Sequence, residues 1–414
     1  MKCNQWTLGL AAVGLVSLTS IARADSTNAV LTALNSTTIS GFVDTSAVWN
    51  LGTHNSADPA PGFAGANGHD GFNLDVVDLN LQKSADATDG WGAGYDVELW
   101  FGPGANSLGT GTIAATSTST RTGGGTLPIP ITTTTTASGG DLAVKNAYVE
   151  LKTPVGNGID WKIGVWDTII GYEVADSVNN PNFTRSYGFG VEPTTHTGVL
   201  GSYTINDMFS VAAGVADTYG PVINARANPP EAESYKSYMG DVSFTAPKAW
   251  GFLAGSTLYA CVINGFNSAD GSQGGDQTSF YAGATINTPL SALKVGASYD
   301  YVAVGKQTEV GIGKSGYVYV LGGFATYQLT EKISLNARGE YGSETADAET
   351  TFLPSTKVLE GTLDVQYDLW KNVLSRVEFR WDHDSGDSGA FGGGASGNPR
   401  DNAFAVIGNV AYKF

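Results

Sequence analysis

Apolar and polar positions alternate with a period of two along most of this chain, the period of a strand with two unlike faces. In WGAGYDVELWF, Trp91, Ala93, Tyr95, Val97, Leu99 and Phe101 share one face; Gly92, Gly94, Asp96, Glu98 and Trp100 share the other. IDWKIGVW sets Ile159, Trp161, Ile163 and Val165 against Asp160, Lys162 and Gly164. ISLNARGEY sets Ile333, Leu335, Ala337 and Tyr341 against Ser334, Asn336, Arg338 and Glu340. VLSRVEFRWD sets Val373, Val377, Phe379 and Trp381 against Arg376, Glu378, Arg380 and Asp382. Helical spacing fits these segments poorly, and only residues 25–35 carry a short helical pattern. About sixteen strands are predicted, starting near residues 37, 71, 91, 142, 159, 196, 209, 235, 252, 277, 293, 317, 333, 357, 373 and 403. Most run roughly ten residues, enough to cross a bilayer at a tilt.

Their connections sort by length. Short links fall at 154–158, 206–207, 246–251, 287–292, 330–332 and 370–372. Long ones fall at 51–70, 102–141, 167–195, 218–234, 265–276, 305–316, 343–356 and 382–402. Short and long take turns, as they do in an antiparallel up-and-down transmembrane β-barrel with short periplasmic turns and long external loops. A closed, even-stranded ring leaves no unpaired edge in lipid. The apolar face then meets lipid and the charged face lines a channel, since Arg or Lys facing lipid at the midplane costs roughly 2–4 kcal/mol. Aromatics near predicted strand ends (Trp49, Trp91, Phe209, Phe252, Tyr301, Tyr327, Tyr341, Trp370, Trp381) fit two interfacial girdles, although strand propensity alone also enriches aromatics.

Both termini agree with export to such a membrane. Lys2, the apolar run Leu8–Leu18 and Ala22-Arg23-Ala24 read as a signal peptide, residues 1–24, ahead of a single barrel domain, 25–414. The last strand, AFAVIGNVAYKF, alternates to its final residue. Val406, Gly408, Val410, Tyr412 and Phe414 resemble the C-terminal signal read by the barrel assembly machinery of the outer membrane. Cys261 is the single cysteine after residue 24, so no intramolecular disulfide is available. The formal charge, −17 overall and −19 once Lys2 and Arg23 are gone, argues against a nucleic-acid partner.

The stretch KNAYVELKTPVGNGIDWKIGVWDTIIGYEVADSVNNPNFTRSYGFGVEPTTHTGV, 145–199, resembles the β-barrel porin-2 family, described as OmpL-like. The likeness extends more loosely over nearly all of the chain after residue 24. It implies an outer-membrane barrel that passes small hydrophilic solutes, and it brings no catalytic residues or cofactor. The Thr-, Ser- and Gly-rich insert at 112–140 reads as a flexible external loop.

Segment 167–195 differs from the other long loops in its density of Ile, Tyr, Phe and Pro. Apolar loop residues need something to pack on, and the lumen is nearest. By analogy with general porins, an inward fold would set Asp167, Glu173, Asp176, Arg185 and Glu192 against Arg338, Arg376 and Arg380 of the wall, forming a constriction. The alternative is a loop that lines only the external mouth.

Other chemistry finds little support. His54, His69, His196 and His383 lack ligand spacing, so no metal site is expected. DHDSGD at 382–387 lacks the twelfth-position Glu of a calcium loop. No G-x-S-x-G elbow or P-loop occurs, and an enzyme is not expected. The reading is a porin for passive diffusion. A substrate-specific channel, or a barrel that binds partners through its loops, is the alternative. A homotrimer, as in general porins, is one open assembly. The acidic surplus favours cations and the lumen arginines offset it.

Overall fold

The computed structural model describes residues 36–51, 71–86, 90–111, 116–122, 130–136, 142–227, 235–266, 276–305, 315–345, 352–386, 388–391 and 400–414. The signal peptide and the helical pattern at 25–35 lie outside them.

Among the described residues the strands are β1 (Thr38–Leu51), β2 (Gly71–Lys83), β3 (Gly92–Phe101), β4 (Thr116–Thr122), β5 (Pro130–Thr136), β6 (Leu142–Thr153), β7 (Ile159–Asp167), β8 (Thr195–Thr204), β9 (Phe209–Ala216), β10 (Ser237–Thr245), β11 (Thr257–Phe266), β12 (Asp276–Asn287), β13 (Leu293–Val304), β14 (Gly316–Gln328), β15 (Ile333–Glu344), β16 (Lys357–Trp370), β17 (Val373–Asp384) and β18 (Asn402–Lys413). Sixteen close into one antiparallel barrel in chain order, with β18 returning to pair with β1. Strands β4 and β5 pair only with each other, so the Thr-rich insert contains a hairpin outside the barrel.

Fifteen of the expected barrel strands begin within two residues of their predicted starts. The exception is β11, which starts at Thr257 rather than near 252. Residues Lys248–Leu253 instead form a 3-10 turn around Gly251, whose φ of 63° suits glycine. The alternating Trp250 and Phe252 mimicked a strand there, and both remain exposed at the short-turn rim.

The two faces separate as expected. Val377 and Phe379 point outward, while the alternating Arg376, Glu378 and Arg380 are buried at 2%, 0% and 0% exposure. Gly41 and Phe414 exchange both backbone hydrogen bonds, at 3.1 and 2.9 Å, so the last residue is stitched to β1. Three bulges interrupt the registers of the described strands, one of them at Leu369 near the end of β16; the other two change what faces the lumen. One leaves Asp75 unpaired between Leu74 and Val76 on β2; the other leaves Lys145 between Val144 and Asn146 on β6. Each of these two turns an additional side chain into the lumen.

Candidate functional site

Segment 168–194 leaves β7, folds into the barrel and returns to β8. Thr168 donates to the Thr194 carbonyl at 3.0 Å and clasps its base. From there Ile169 and Ile170 pack on inward apolar residues of β8, β10, β11 and β12, namely Leu200, Met239, Cys261 and Tyr281. Tyr172 stacks on Phe324 of β14, with ring centroids 3.9 Å apart. Gly296 makes room for it, since a Cβ there would lie 1.9 Å from the Tyr172 hydroxyl.

The chain then crosses to the charged wall. Glu173 pairs with Arg338 at 2.7 Å, and Arg338 also donates to the Thr184 carbonyl at 2.6 Å. The Ser177 hydroxyl donates to Asp44 of β1. Backbone N–H groups of Phe183 and Thr184 donate to Glu378 at 2.6 and 3.0 Å. Those of Tyr187 and Gly188, at the start of a short helix Tyr187–Val191, donate to Glu340 at 2.7 and 3.1 Å. Ser186 caps that helix by accepting from Phe189, while its own N–H donates to Glu173. Tyr187 and Val191 join an apolar cluster with Val302, Val318, Val320, Leu353 and Val358. The segment therefore touches the wall on nearly every side, and the wall residues Arg338, Glu340, Arg376, Glu378 and Arg380 beneath it are buried. Towards the short-turn end the inward face is wetter: Lys162 and Lys294 are half-buried.

Only one expected acid–base contact forms as drawn, between Glu173 and Arg338. Asp176 instead meets Lys145 of β6 at 3.2 Å, and Asp167, half-exposed, meets the same ammonium at 3.1 Å. Arg376 donates to the Ser177 and Asn180 carbonyls at 3.1 and 3.2 Å, not to a loop carboxylate. Arg380 is paired within the wall, to Asp382 at 2.8 Å, and donates to the Arg185 carbonyl at 2.6 Å. Arg185 donates to the carbonyls of Phe183 and Ala175 and lies over the Phe189 ring. Asp382 on the arginines' own strand takes Arg380, and Glu360 on the neighbouring strand β16 takes Arg338 at 3.1 Å, so these ion pairs need no loop to be ordered.

Two loop carboxyls are displaced from their ordinary range. Burial pushes Asp176 up to about 6; Lys145 opposes the rise, and Glu98 and Asp167 add to it. Glu192 is raised well above the usual value by burial and by the neighbouring carboxylate Asp300 of β13. Elsewhere, the two described carboxylates of 382–387 serve different partners. Asp382 serves Arg380, while Asp384 accepts from the N–H groups of Gly386, Ser388 and Ala390. Asp387, His54 and His69 lie outside the described residues. His196 contacts Thr168 and His383 contacts Asn402. The terminal Val410 and Tyr412 face outward, in line with a lipid-facing last strand.

A family model described as Putative beta-barrel porin-2, OmpL-like, matches residues 36–414. No curated protein matches the chain. Among solved structures, it is similar to the anion-selective porin from Comamonas acidovorans, with TM-score 0.59 and 13% identity over 92% of this chain and 99% of that one. The outer membrane channel DcaP of Acinetobacter baumannii gives TM-score 0.56 and 13% identity over 91% and 97%. OmpT of Vibrio cholerae gives 0.54 and 13% over 95% and 100%, and is also solved in a trimer form. At these identities the likeness bears on the fold.

Proposed function

The chain belongs to the Putative beta-barrel porin-2, OmpL-like, family, and from that membership we propose a channel narrowed by its own segment 168–194. It is an outer-membrane porin that passes small hydrophilic solutes and ions by passive diffusion. In our reading, Glu173, Asp176, Arg185, Glu192, Arg338, Arg376 and Arg380 fix the segment across the lumen, and Asp167 marks its base. The observation that carries the reading is the double anchoring of loop backbone to wall carboxylates, two N–H groups on Glu378 and two on Glu340. Such a segment is part of the wall rather than a flap over the mouth, and what passes it is small. Residues 1–24 act as a cleaved export signal. Val406, Gly408, Val410, Tyr412 and Phe414 form the assembly signal. The functional unit is a homotrimer in outer-membrane lipid, a reading supported by the trimer form of a similar fold. Catalysis has no part in it.

Planar-bilayer conductance of the purified full-length barrel tests this. Deleting residues 177–189 should raise the unit conductance, because the narrowest part of a pore contributes most of its resistance. Trimming the insert at 112–140 should leave it unchanged. Equal conductance from both deletions would show that the narrowest point lies elsewhere. Saturable flux inhibited by one solute would move the reading to a substrate-specific channel. A folded barrel without conductance would favour a structural or partner-binding role.

A further inference from the structure

One side of the lumen carries buried oxygens that no group of the described residues satisfies. Asp75 and Asp78 on β2, Asp96 on β3 and Asp176 on the crossing segment are each at least nine-tenths buried, and each has one carboxylate oxygen without a hydrogen-bond partner. The amide oxygen of Asn146 on β6 is in the same position. A carboxylate oxygen can only accept, so what is missing is a donor or a cation. Across the lumen Glu340 and Glu378 are each filled by two N–H donors, and there only Asp300 and Asp364 among the inward acids of the described residues leave an oxygen without a partner, apart from one another on β13 and β16.

The shortfall forms a row rather than a spot. Asp96 stands opposite Gln82, seven residues along β2 from Asp75, a rise of roughly 23 Å. Near the middle, oxygens of Asp78, Glu98 and Asp176 lie within 4.8 Å of one another. Beside them the Lys145 ammonium touches Glu98, Asp167 and Asp176 at 3.0, 3.1 and 3.2 Å. A positive charge already sits there, and it is tethered. At the loop end of the row a cavity of about 40 Å³ is bordered by Asp44, Asp75, Trp100 and Arg185, room for a few waters. Two of the wall's bulges serve this row. One supplies Asp75 and the other Lys145.

We propose that these oxygens form a cation track between the crossing segment and the wall of β1, β2, β3 and β6, along which small monovalent cations enter beside Asp75, pass the seat held by Lys145 and leave past Asp96. The proposal rests on the channel reading and adds the class of solute. Several weak sites in series suit passage, because an ion must be bound well enough to enter and weakly enough to leave. Lys145 sets the limit: its ammonium competes for the central seat.

The test is the reversal potential of the full-length barrel in planar bilayers under a KCl gradient. The wild type should prefer K⁺ over Cl⁻ several-fold. Asp78→Asn with Asp96→Asn should bring the ratio towards one, while Asp207→Asn, on an exposed turn, should keep the wild-type ratio. Lys145→Met should raise K⁺ conductance by emptying the central seat. Heat-modifiable migration confirms that each variant is a closed barrel. A folded wild type that conducts without cation preference overturns the track and leaves the channel reading standing; a barrel that does not conduct overturns both. The wild-type measurement needs no variant, so misfolding of a mutant leaves the proposal exposed to refutation.

Discussion

Glu378→Ala should loosen the crossing segment at its centre. The carboxylate is fully buried and accepts the Phe183 and Thr184 N–H groups at 2.6 and 3.0 Å. A hydrogen bond to an ionised acceptor contributes about 1.5–3 kcal/mol, so losing both weakens docking at this point by about 3–6 kcal/mol. At 1.4 kcal/mol per tenfold, the undocked-to-docked ratio rises on the order of a hundredfold or more. Glu340 holds the next turn independently, so the single variant should flicker between conductance levels, and Glu340→Ala with Glu378→Ala should sit at the higher level. Single-channel recording reads this directly, with heat-modifiable migration to establish that the barrel is closed. Period-two alternation alone would place Glu378 against open water and predict no effect of neutralising it. The structure predicts the opposite. A folded double variant with wild-type conductance and noise would refute the anchoring argument.

Val377, outward and 61% exposed, should not tolerate Arg: Val377→Arg should cost roughly 2–4 kcal/mol and lower the folded fraction on gels, whereas Val377→Leu should not. Deleting Phe414 removes two backbone hydrogen bonds to Gly41 and should reduce the yield of heat-modifiable barrel in the outer membrane; an unchanged yield would leave it a rim aromatic only. Glu192 is raised in the docked segment by burial and by Asp300, so docking is fully supported below the ordinary Glu value and weakens as pH rises through the raised one. Conductance should therefore climb with pH, and Glu192→Gln should flatten the climb.

Much of this was legible because lipid enforces the alternation. Leu335, Val377 and Phe379 had to face out, which left Arg338, Arg376, Glu378 and Arg380 inward. The inward fold of 168–194 was legible from its apolar content. Partner choice was not. Arg380 and Asp382 stand two residues apart on one strand, so their pairing is local and needs no distant loop. The bulges were invisible for a different reason. A strict period of two cannot place Lys145 and Asn146 on the same side, and nothing in the local sequence marks the additional residue. Hence the acidic row, with Asp75 and Lys145 at its bulges, emerged only from the strand registers.

The crossing segment also fixes an order of events in assembly. Its partners Glu340, Arg376 and Glu378 lie 152 to 199 residues downstream. Loop-closure entropy over such separations is paid only when the late strands are already in place. Its contacts with Asp44 on the first strand and with the fourth-from-last, third-from-last and second-from-last barrel strands cannot all form until the ring has joined its two ends. The barrel is thus built hollow and narrowed afterwards, and a nascent copy is at its leakiest just after its seam closes.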